Sequence, residues 1–380
     1  MAKIYLDNAA TTKMDEEVLN AMLPFMRDDY GNPSSIHAFG RKTRTAIESA
    51  RKTVAKYLNV SPAEIFFTSG GTEADNMAIV EAIDTYDLKH AISSKIEHHA
   101  VEHTLEVLEK AGKIKVSWVN VDEKGNVDLQ HLEELLKNNE RSLVSLMHAN
   151  NEIGTLLPIK KVGELCEKFN AIFHSDTVQT MGHYKMDLQN LNVHMISCGA
   201  HKFHGPKGVG FIYVKHSLKI KPFINGGSQE RNMRGGTENL YGIVGLAKAF
   251  EMANEHMDEH QATIKSIKNY MIEQLVANIE GMEFNGEIAD SSLYTVLSCR
   301  FPKHPDAEML LFNLDIAGIA ASGGSACTSG SNQGSHVLRG IGVDMNRPSV
   351  RFSFSKYNTK EEIDIVVKKL KEMFAINVKA

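Results

Sequence analysis

Along the first half of the chain, apolar residues alternate between a helical spacing and short uninterrupted runs. Between residues 46 and 58, apolar residues recur every three or four positions, which predicts an amphipathic helix. The uninterrupted apolar run Ile65–Phe67 follows and predicts a buried strand. The alternation continues: predicted strands span 90–93, 115–121, 142–147, 171–174, 193–197 and 209–214, and predicted helices span 129–136 and 159–169. This pattern predicts a mostly parallel sheet sandwiched by helices on both faces, an α/β fold.

A second region begins near residue 255. It contains a predicted helix over 264–279, predicted strands near 293–301 and 350–354, and a closing helix over 361–374. We therefore expect a large domain over 15–254. Residues 1–14 and 255–380 are expected to form a smaller α+β domain that carries a Gly/Ser-rich loop at about 321–335.

The composition indicates the general class of protein and its cellular compartment. The 380 residues suggest two or three domains, with 42% hydrophobic and 23% charged residues and a net charge of −5. Mild acidity argues against a nucleic-acid surface, which needs a dense basic patch. The N-terminus has no signal-peptide pattern, and no apolar run approaches the roughly 18 residues of a membrane span. We expect a cytoplasmic protein with no membrane contact.

Polar clusters follow several predicted strands, where open α/β sheets bind ligands. Residues 68–73 form a Gly-rich turn before a helix, which suits a phosphate or, equally, a tight turn with a Thr cap. The strand over 142–147 runs into residues 148–152, and the strand over 171–174 runs into Asp176. A buried Asp176 needs a partner: a protonated heterocyclic nitrogen or a helix cap would serve.

Lys202 is the sharpest local feature. It follows the predicted strand over 193–197, and a lysine held there loses charge by desolvation and becomes nucleophilic enough for a Schiff base. His201 beside it can donate to an anion. Lys207, in a Gly/Pro turn, is interpreted as an exposed basic residue.

A histidine-rich stretch raises the possibility of a metal. His99 and His103 are four residues apart on one predicted helix face, but no third ligand is evident from spacing, so no metal site is predicted. The chain also lacks the G-x-G-x-x-G, P-loop and G-x-S-x-G motifs, which removes the main support for dinucleotide, P-loop and α/β-hydrolase functions.

The four cysteines are scattered without a C-x-x-C pair, which favours free thiols in a reducing compartment. Cys166, Cys198 and Cys299 stand in apolar surroundings and are predicted to be inert core residues. Cys327 instead stands in the Gly/Ser-rich segment 321–331, which predicts an exposed, mobile thiol and a candidate nucleophile.

Arg351 alternates with apolar residues in the strand pattern near 350–354, so it points away from the packed face. Its guanidinium suits a substrate carboxylate; a structural salt bridge is the alternative.

These motifs together resemble the cysteine desulfurases, class-V members of the fold-type-I enzymes that depend on pyridoxal 5′-phosphate (PLP). The resemblance spans nearly the whole chain in order. It rests on Tyr5–Thr12, Gly31–Ser35, Thr68–Asn76, Glu97–His98, Asn150–Gly154, Asp176–Gln179, His201–Gly208, Arg234–Asn239 and Ser325–Ser329.

The resemblance implies a role for each matching residue. Lys202 would hold PLP covalently, Asp176 would pair with its pyridine nitrogen, His98 would stack on its ring and Gln179 would bond its phenolic oxygen. Gly71, Thr72 and His201 would hold the phosphate, with Thr237 reaching in from the second subunit of a homodimer. Asn151 and Arg351 would fix the carboxylate of L-cysteine. Cys327 would take the sulfur as a persulfide, releasing L-alanine.

The same resemblance implies a sulfur-acceptor protein such as an iron–sulfur scaffold, with Cys327 in at most transient contact with an iron–sulfur cluster. Two positions depart from the family pattern. Gly199 stands where a hydroxyl residue is usual, three places before the lysine, and Gly235 stands where Ser is common. We therefore expect PLP to dissociate more readily than is usual for the family.

Two other functions remain as alternatives. One is a different class-V activity, such as selenocysteine lyase or an aminotransferase; a mobile Cys327 argues against transamination. The other is a non-catalytic scaffold for sulfur-transfer proteins, against which Lys202 and Asp176 argue.

Overall fold

A computed structural model describes residues 3–289, 291–305, 307–323 and 334–375. The described strands are β1 Ile4–Tyr5, β2 Ile65–Thr68, β3 His90–Ser93, β4 Lys115–Trp118, β5 Ser142–Ser145, β6 Ile172–Asp176, β7 Met195–Gly199, β8 Gly210–Val214, β9 Glu283–Asn285, β10 Val296–Arg300, β11 Ile319–Ala320 and β12 Ser349–Ser353. The described helices are α1 Glu16–Arg27, α2 Ala38–Leu58, α3 Gly71–Tyr86, α4 His99–Lys110, α5 Leu129–Asn138, α6 Ile159–Lys168, α7 Leu240–Glu255, α8 Met257–Asn278, α9 Leu310–Ile316, α10 His336–Gly340 and α11 Lys360–Ala375.

The central sheet has seven strands in the order β2-β8-β7-β6-β5-β3-β4. The neighbours from β7 to β4 pair in parallel, and β8 runs antiparallel to both β7 and β2. In this sheet every strand except β8 therefore points the same way, so the carboxyl ends of its other six strands lie along one edge. The predicted mostly parallel α/β sheet is confirmed, and this edge is where such sheets bind ligands.

Helices cover both faces of this sheet. Phe66, Ile172 and Met195 pack with α3 and α4 on one face. Neighbouring residues such as Phe67 and Phe173 pack with α1, α2, α5, α6 and α7 on the other. Because side chains alternate sides along a strand, consecutive apolar residues supply both cores. This double burial explains why the strands appear as uninterrupted apolar runs.

A third core lies around the antiparallel sheet β12-β10-β9. Helices α8 and α11 pack on it together with Ile4 and Leu6 from the N-terminus. Strand β1 pairs in parallel with β11, which ties the first residues of the chain to the C-terminal region. The division into domains at residues 14 and 254 stays a prediction.

Most predicted elements are present, with shifted ends. The strand expected over 115–121 ends at Trp118, because Val121 leaves the sheet and forms a bridge with Val127. The helix expected from 264 begins seven residues earlier, at Met257, whose side chain is buried. Helices α1 and α7 were not predicted. None of the described helices is both long and apolar enough to cross a membrane.

Candidate active site

A cavity of about 240 Å³ opens at the carboxyl edge of the central sheet. Nine of the eleven residues expected at the site line it: Gly71, Thr72, His98, Asn151, Asp176, Gln179, His201, Lys202 and Arg351. Ala9, Ala10, Asp75, Met147 and Val178 complete the lining. The polar clusters converge because they follow neighbouring strands that point the same way.

Lys202 ends a short turn that directly follows β7. Its Nζ donates hydrogen bonds to the carbonyls of Ala9 (2.5 Å) and Ala10 (2.9 Å). Thr12 anchors the same turn, since its N–H and its hydroxyl both donate to the carbonyl of His201, at 2.9 and 3.0 Å. The N-terminal segment thus positions the lysine in the cavity wall.

Asp176 is the last residue of β6 and is buried. Its Oδ1 accepts a hydrogen bond from the N–H of Val178 at 2.8 Å. Burial, with a smaller contribution from the Asp75 carboxylate, raises the pKa of Asp176 to about 7. A carboxylate in this setting is stabilised by a cationic partner, such as a protonated ring nitrogen.

Asp75 was missed in the sequence. It lies three residues after Thr72 on α3, on the buried side, and burial raises its pKa to about 7. Its Oδ1 lies 3.5 Å from His174 Nε2 and has no hydrogen-bond partner among the described residues. The i, i+3 spacing from Thr72 was the available signal, but nothing in the sequence places Asp75 behind Asp176.

His98 caps the N-terminus of α4, where its Nδ1 accepts from the N–H of Ala100 at 3.1 Å. Burial, and secondarily the charge of Lys202, lowers the pKa of His98 to about 4. The ring is therefore neutral near pH 7. Because Nδ1 is the acceptor, the proton lies on Nε2.

The N-terminus of α3 contributes Gly71 and Thr72. The first N–H groups of a helix have no partner within the helix and favour an anion. Gly71 packs tightly, since a Cβ there would lie 2.6 Å from Val178 Cγ2. At Gly199 there is room: a Cβ would lie 3.5 Å from Gly71 N and 3.6 Å from His201 Cδ2, both ordinary contacts. Burial lowers the pKa of His201 to about 4, so its ring is neutral.

Arg351 lies on β12. A place at the ligand cavity and a structural salt bridge were the two expected environments, and its guanidinium has both. Nη2 donates to Asp7 Oδ1 and Nη1 donates to the carbonyl of Asn151, each at 2.9 Å. Arg351 Nε is buried without a hydrogen-bond partner in the described part of the chain. A structural salt bridge is thus present, and Arg351 also lines the cavity.

Thr237 is the expected site residue that lies elsewhere. It lines a separate pocket together with Thr68 and Ser69, which precede α3. Arg234 holds this loop against α3 by donating to both carboxylate oxygens of Glu73, at 2.9 and 3.2 Å. The loop therefore does not bring Thr237 into the cavity of its own chain. A contribution from a second subunit stays a prediction.

Cys327 lies outside the described residues. Described residues on either side of it bond to cavity-lining residues or to their neighbours in the fold. Ser322 exchanges backbone hydrogen bonds with Arg351 and donates from Oγ to Asp7 (2.8 Å). Ser335 donates to Glu152 Oε2 at 2.5 Å.

The other three cysteines, Cys166, Cys198 and Cys299, are buried, as predicted. Burial raises the pKa of each thiol above its ordinary value.

These groups fit PLP. The raised pKa of Asp176 and the unpartnered Oδ1 of Asp75 indicate a carboxylate pair suited to a cationic ring nitrogen. The space beside Gly71 N, next to Gly199 and His201, can take a phosphate oxygen. Lys202 lines the same cavity as these two groups.

Comparisons with known proteins agree with this geometry. The Aminotransferase class-V family profile matches residues 4–366. The chain is 44% identical to the cysteine desulfurase IscS of Dictyoglomus turgidum, over 95% of this chain and 92% of that one. A solved NifS-like protein superposes with a TM-score of 0.91 at 39% identity, over 99% of this chain and all of that one. A structure of SspA in complex with cysteine superposes with a TM-score of 0.82 at 32% identity, over 94% of this chain and all of that one. The chain therefore belongs to the class-V aminotransferase family, among its cysteine desulfurases.

Proposed function

We propose that this PLP-dependent cysteine desulfurase binds L-cysteine in the cavity between Lys202 and Arg351 and transfers its sulfur to Cys327. The observation that carries the proposal is that Lys202, Asp176, His98 and Arg351, from four separate segments of the chain, line one cavity. Cavities of this kind, with convergent ionisable groups of perturbed pKa, are candidate active sites.

Asp176 and His98 orient the cofactor. The Oδ1 of Asp176 is held by Val178, which leaves the other oxygen to keep the pyridine nitrogen protonated. The neutral ring of His98 would stack on the pyridine ring of the cofactor and offer its Nε2–H. PLP, when bound, supplies an electron sink that stabilises negative charge at Cα of the amino acid. The N-terminus of α3 would hold the phosphate, with His201 donating from one ring nitrogen.

Lys202 moves the proton. Its Nζ donates hydrogen bonds to the carbonyls of Ala9 and Ala10, which hold it at the cavity wall. From there it takes the proton from Cα of the substrate and returns one later, as a positioned general base and acid.

Arg351 binds the substrate carboxylate through Nε, the nitrogen that Asp7 and Asn151 leave free of hydrogen bonds within the described ranges. The two bonds from Nη1 and Nη2 keep the guanidinium in one orientation. The salt bridge to Asp7 and the binding of substrate are therefore compatible functions of the same side chain.

Cys327 accepts the sulfur. Its thiolate attacks the sulfur of the bound cysteine, an S–S bond forms, and the Cβ–S bond breaks with its electron pair going to Cβ. Protonation of that carbon gives alanine, and the enzyme keeps one extra sulfur atom as a persulfide. No outside oxidant or reductant is needed. Two described residues on either side of Cys327 support this role: Ser322 contacts Asp7, the partner of Arg351, and Ser335 contacts Glu152, the neighbour of Asn151.

The persulfide is then passed to an acceptor protein such as an iron–sulfur scaffold. A homodimer would bring Thr237 of the second subunit to the phosphate end of the cavity. Its position outside the cavity of its own chain supports this arrangement.

The test compares two lysines of one loop. Lys202→Ala is expected to abolish alanine formation from L-cysteine and the visible absorbance of lysine-bound PLP. Lys207→Ala, in the exposed Gly/Pro turn, is the matched control and should keep both. Alanine formation at the parental rate by Lys202→Ala would refute the assignment.

A further inference from the structure

Helix α4 carries a second cluster of histidines beside the cavity. His99, Glu102 and His103 follow His98 with the spacing His-x-x-Glu-His, which places all three on one helix face. The rings of His99 and His103 stack, with centroids 4.5 Å apart and planes inclined by 20°.

His336, the first residue of α10, joins this cluster from a distant part of the chain. Its ring centroid lies 4.3 Å from that of His99. Glu102 Oε2 lies 3.6 Å from His99 Nδ1 and 3.8 Å from His336 Nε2. One ligand atom from each of His99, Glu102 and His336 lies within 4.8 Å of the other two. Spacing alone indicated no third ligand, because His336 meets α4 only through the fold.

The hydrogen bonds leave the required lone pairs open. His336 Nε2 donates to the carbonyl of Glu97 at 2.8 Å, so its proton lies on Nε2 and its Nδ1 carries a lone pair. Metal-bound histidines commonly have this outer hydrogen bond to a backbone carbonyl. His336 Nδ1 and both ring nitrogens of His99 are buried atoms without a hydrogen-bond partner in the residues described. Such groups are uncommon in native proteins, and a bound ion is one arrangement that would satisfy them.

The carboxylate is arranged in the same way. Glu102 Oε1 faces Lys95 Nζ at 3.8 Å, while Oε2 faces the two histidines. Both His–Glu separations exceed normal hydrogen-bond length, so a simple ion pair does not account for the cluster. The three side chains are 12–21% exposed, which shields the site partly and leaves an approach from solvent.

We propose that His99, Glu102 and His336 bind a divalent transition-metal ion of the zinc class. Two imidazoles and one carboxylate form a frequent zinc ligand set, with metal–ligand distances of about 2.0–2.2 Å and a fourth position open to water. Ligand atoms of the three side chains lie within 4.8 Å of one another, and the His336 ring would have to present Nδ1 to the ion. Binding would tie α10, which follows the segment 324–333, to α4, which follows the ring-stacking His98.

The chain contains its own control. Helix α8 repeats the spacing His-x-x-Glu-His at His256, Glu259 and His260, with ring centroids of the two histidines 5.7 Å apart. Among the described residues, these three do not form a group whose ligand atoms all lie within 4.8 Å of one another.

The experiment uses chelator-treated, PLP-loaded protein in which Cys327→Ser removes a competing thiol ligand. Zn²⁺ is titrated calorimetrically and Co²⁺ by its visible absorption bands. We expect one ion per chain, at least tenfold weaker binding in His99→Gln and in His336→Gln, and unchanged binding in a His256→Gln/His260→Gln variant. Zn²⁺ should also raise the Tm of the parent but not of His336→Gln. Folding of each variant is checked by its PLP absorbance and its metal-free Tm.

Absence of saturable Zn²⁺ binding in the parent would overturn the proposal. Parental affinity in both His99→Gln and His336→Gln would do the same. Glu102→Gln keeps the shape of the carboxylate and covers the case in which a histidine variant fails to fold: undiminished binding in it would also count against the site.

Discussion

Asp7 Oδ1 accepts a hydrogen bond from Arg351 Nη2 at 2.9 Å, and this pair joins the N-terminal segment to strand β12 at the cavity wall. Arg351 is 3% exposed, and this carboxylate is the partner of its buried charge. The same carboxylate oxygen also accepts from Ser322, the residue at the start of the Gly/Ser-rich segment. One acidic side chain therefore orients the guanidinium of Arg351 and also holds Ser322, which lies five residues before Cys327 in the sequence.

The first prediction concerns this ion pair. Asp7→Asn should lower the free energy of unfolding by about 3 kcal/mol, because it leaves a buried guanidinium unpaired. It should also raise the KM for L-cysteine more than it lowers kcat, since Arg351 loses its fixed orientation. Urea unfolding of the PLP-saturated protein and steady-state kinetics measure the two effects.

Glu283→Gln is the control for that variant. Glu283 pairs with Arg300 and Arg347 on the smaller sheet but is 47% exposed, so its loss should cost within about 1 kcal/mol and leave KM unchanged. Equal effects of the two substitutions would argue against a special role for Asp7.

The second prediction concerns PLP retention. Gly199→Ser should slow PLP loss roughly tenfold, because a hydroxyl beside Gly71 N and His201 adds one hydrogen bond to a charged phosphate. Gly199→Ala fits the same space without a hydroxyl and should leave retention unchanged. Dialysis followed by PLP absorbance measures the difference. Similar retention in the Ser and Ala variants would exclude the hydroxyl as the cause.

Gly235 is expected to behave differently, although it also departs from the family pattern. A Cβ there would lie 2.8 Å from Gly226 Cα and 2.9 Å from Gly226 N, which are backbone atoms. Gly235→Ser should therefore lower the Tm instead of improving PLP binding. An unchanged Tm, measured by calorimetry, would show that the loop backbone adjusts at little cost.

The third prediction concerns pH. Burial raises the pKa of Asp75 and Asp176 to about 7, so the folded, PLP-free protein keeps protons that the unfolded chain releases near pH 4. Their contribution to stability is thus full below about pH 4 and is lost as pH rises toward 7. The Asp75→Asn variant has no titratable group at this position. Its unfolding free energy should therefore not show the part of the loss that Asp75 contributes, on the order of a few kcal/mol.

Buried histidines act in the opposite direction. The pKa of His174 and of His183 is lowered to about 4 by burial, so these groups cost stability as pH falls below about 6.5. The informative quantity is therefore the difference between parent and Asp75→Asn in unfolding free energy at pH 5 and at pH 7.5. The same difference at both pH values would contradict the raised pKa.

Patterns along the chain predicted much of this site but not all of it. Uninterrupted apolar runs and a common strand direction bring Lys202 and Asp176 to one edge, because Asp176 ends β6 and Lys202 follows its parallel neighbour β7. Asp75 was invisible, since a carboxylate on a helix face gives no sign of which strand end it meets. His336 was missed for the same reason: its neighbours on α4 are distant in sequence and meet it only through tertiary packing. The strand and helix pattern of the chain could not predict the environment of Thr237, because this residue lies outside the cavity of its own chain.

The central claim is that sulfur passes from L-cysteine to Cys327, and single-turnover labelling tests it most directly. PLP-loaded protein is mixed with less than one equivalent of L-cysteine carrying radioactive sulfur, then digested without reductant and analysed by mass spectrometry. We predict one added sulfur on the peptide that contains Cys327, one alanine formed per added sulfur, and neither persulfide nor sulfide at the parental rate in Cys327→Ala. Label on the peptides of Cys166, Cys198 or Cys299, or sulfide release by Cys327→Ala as fast as by the parent, would contradict the account.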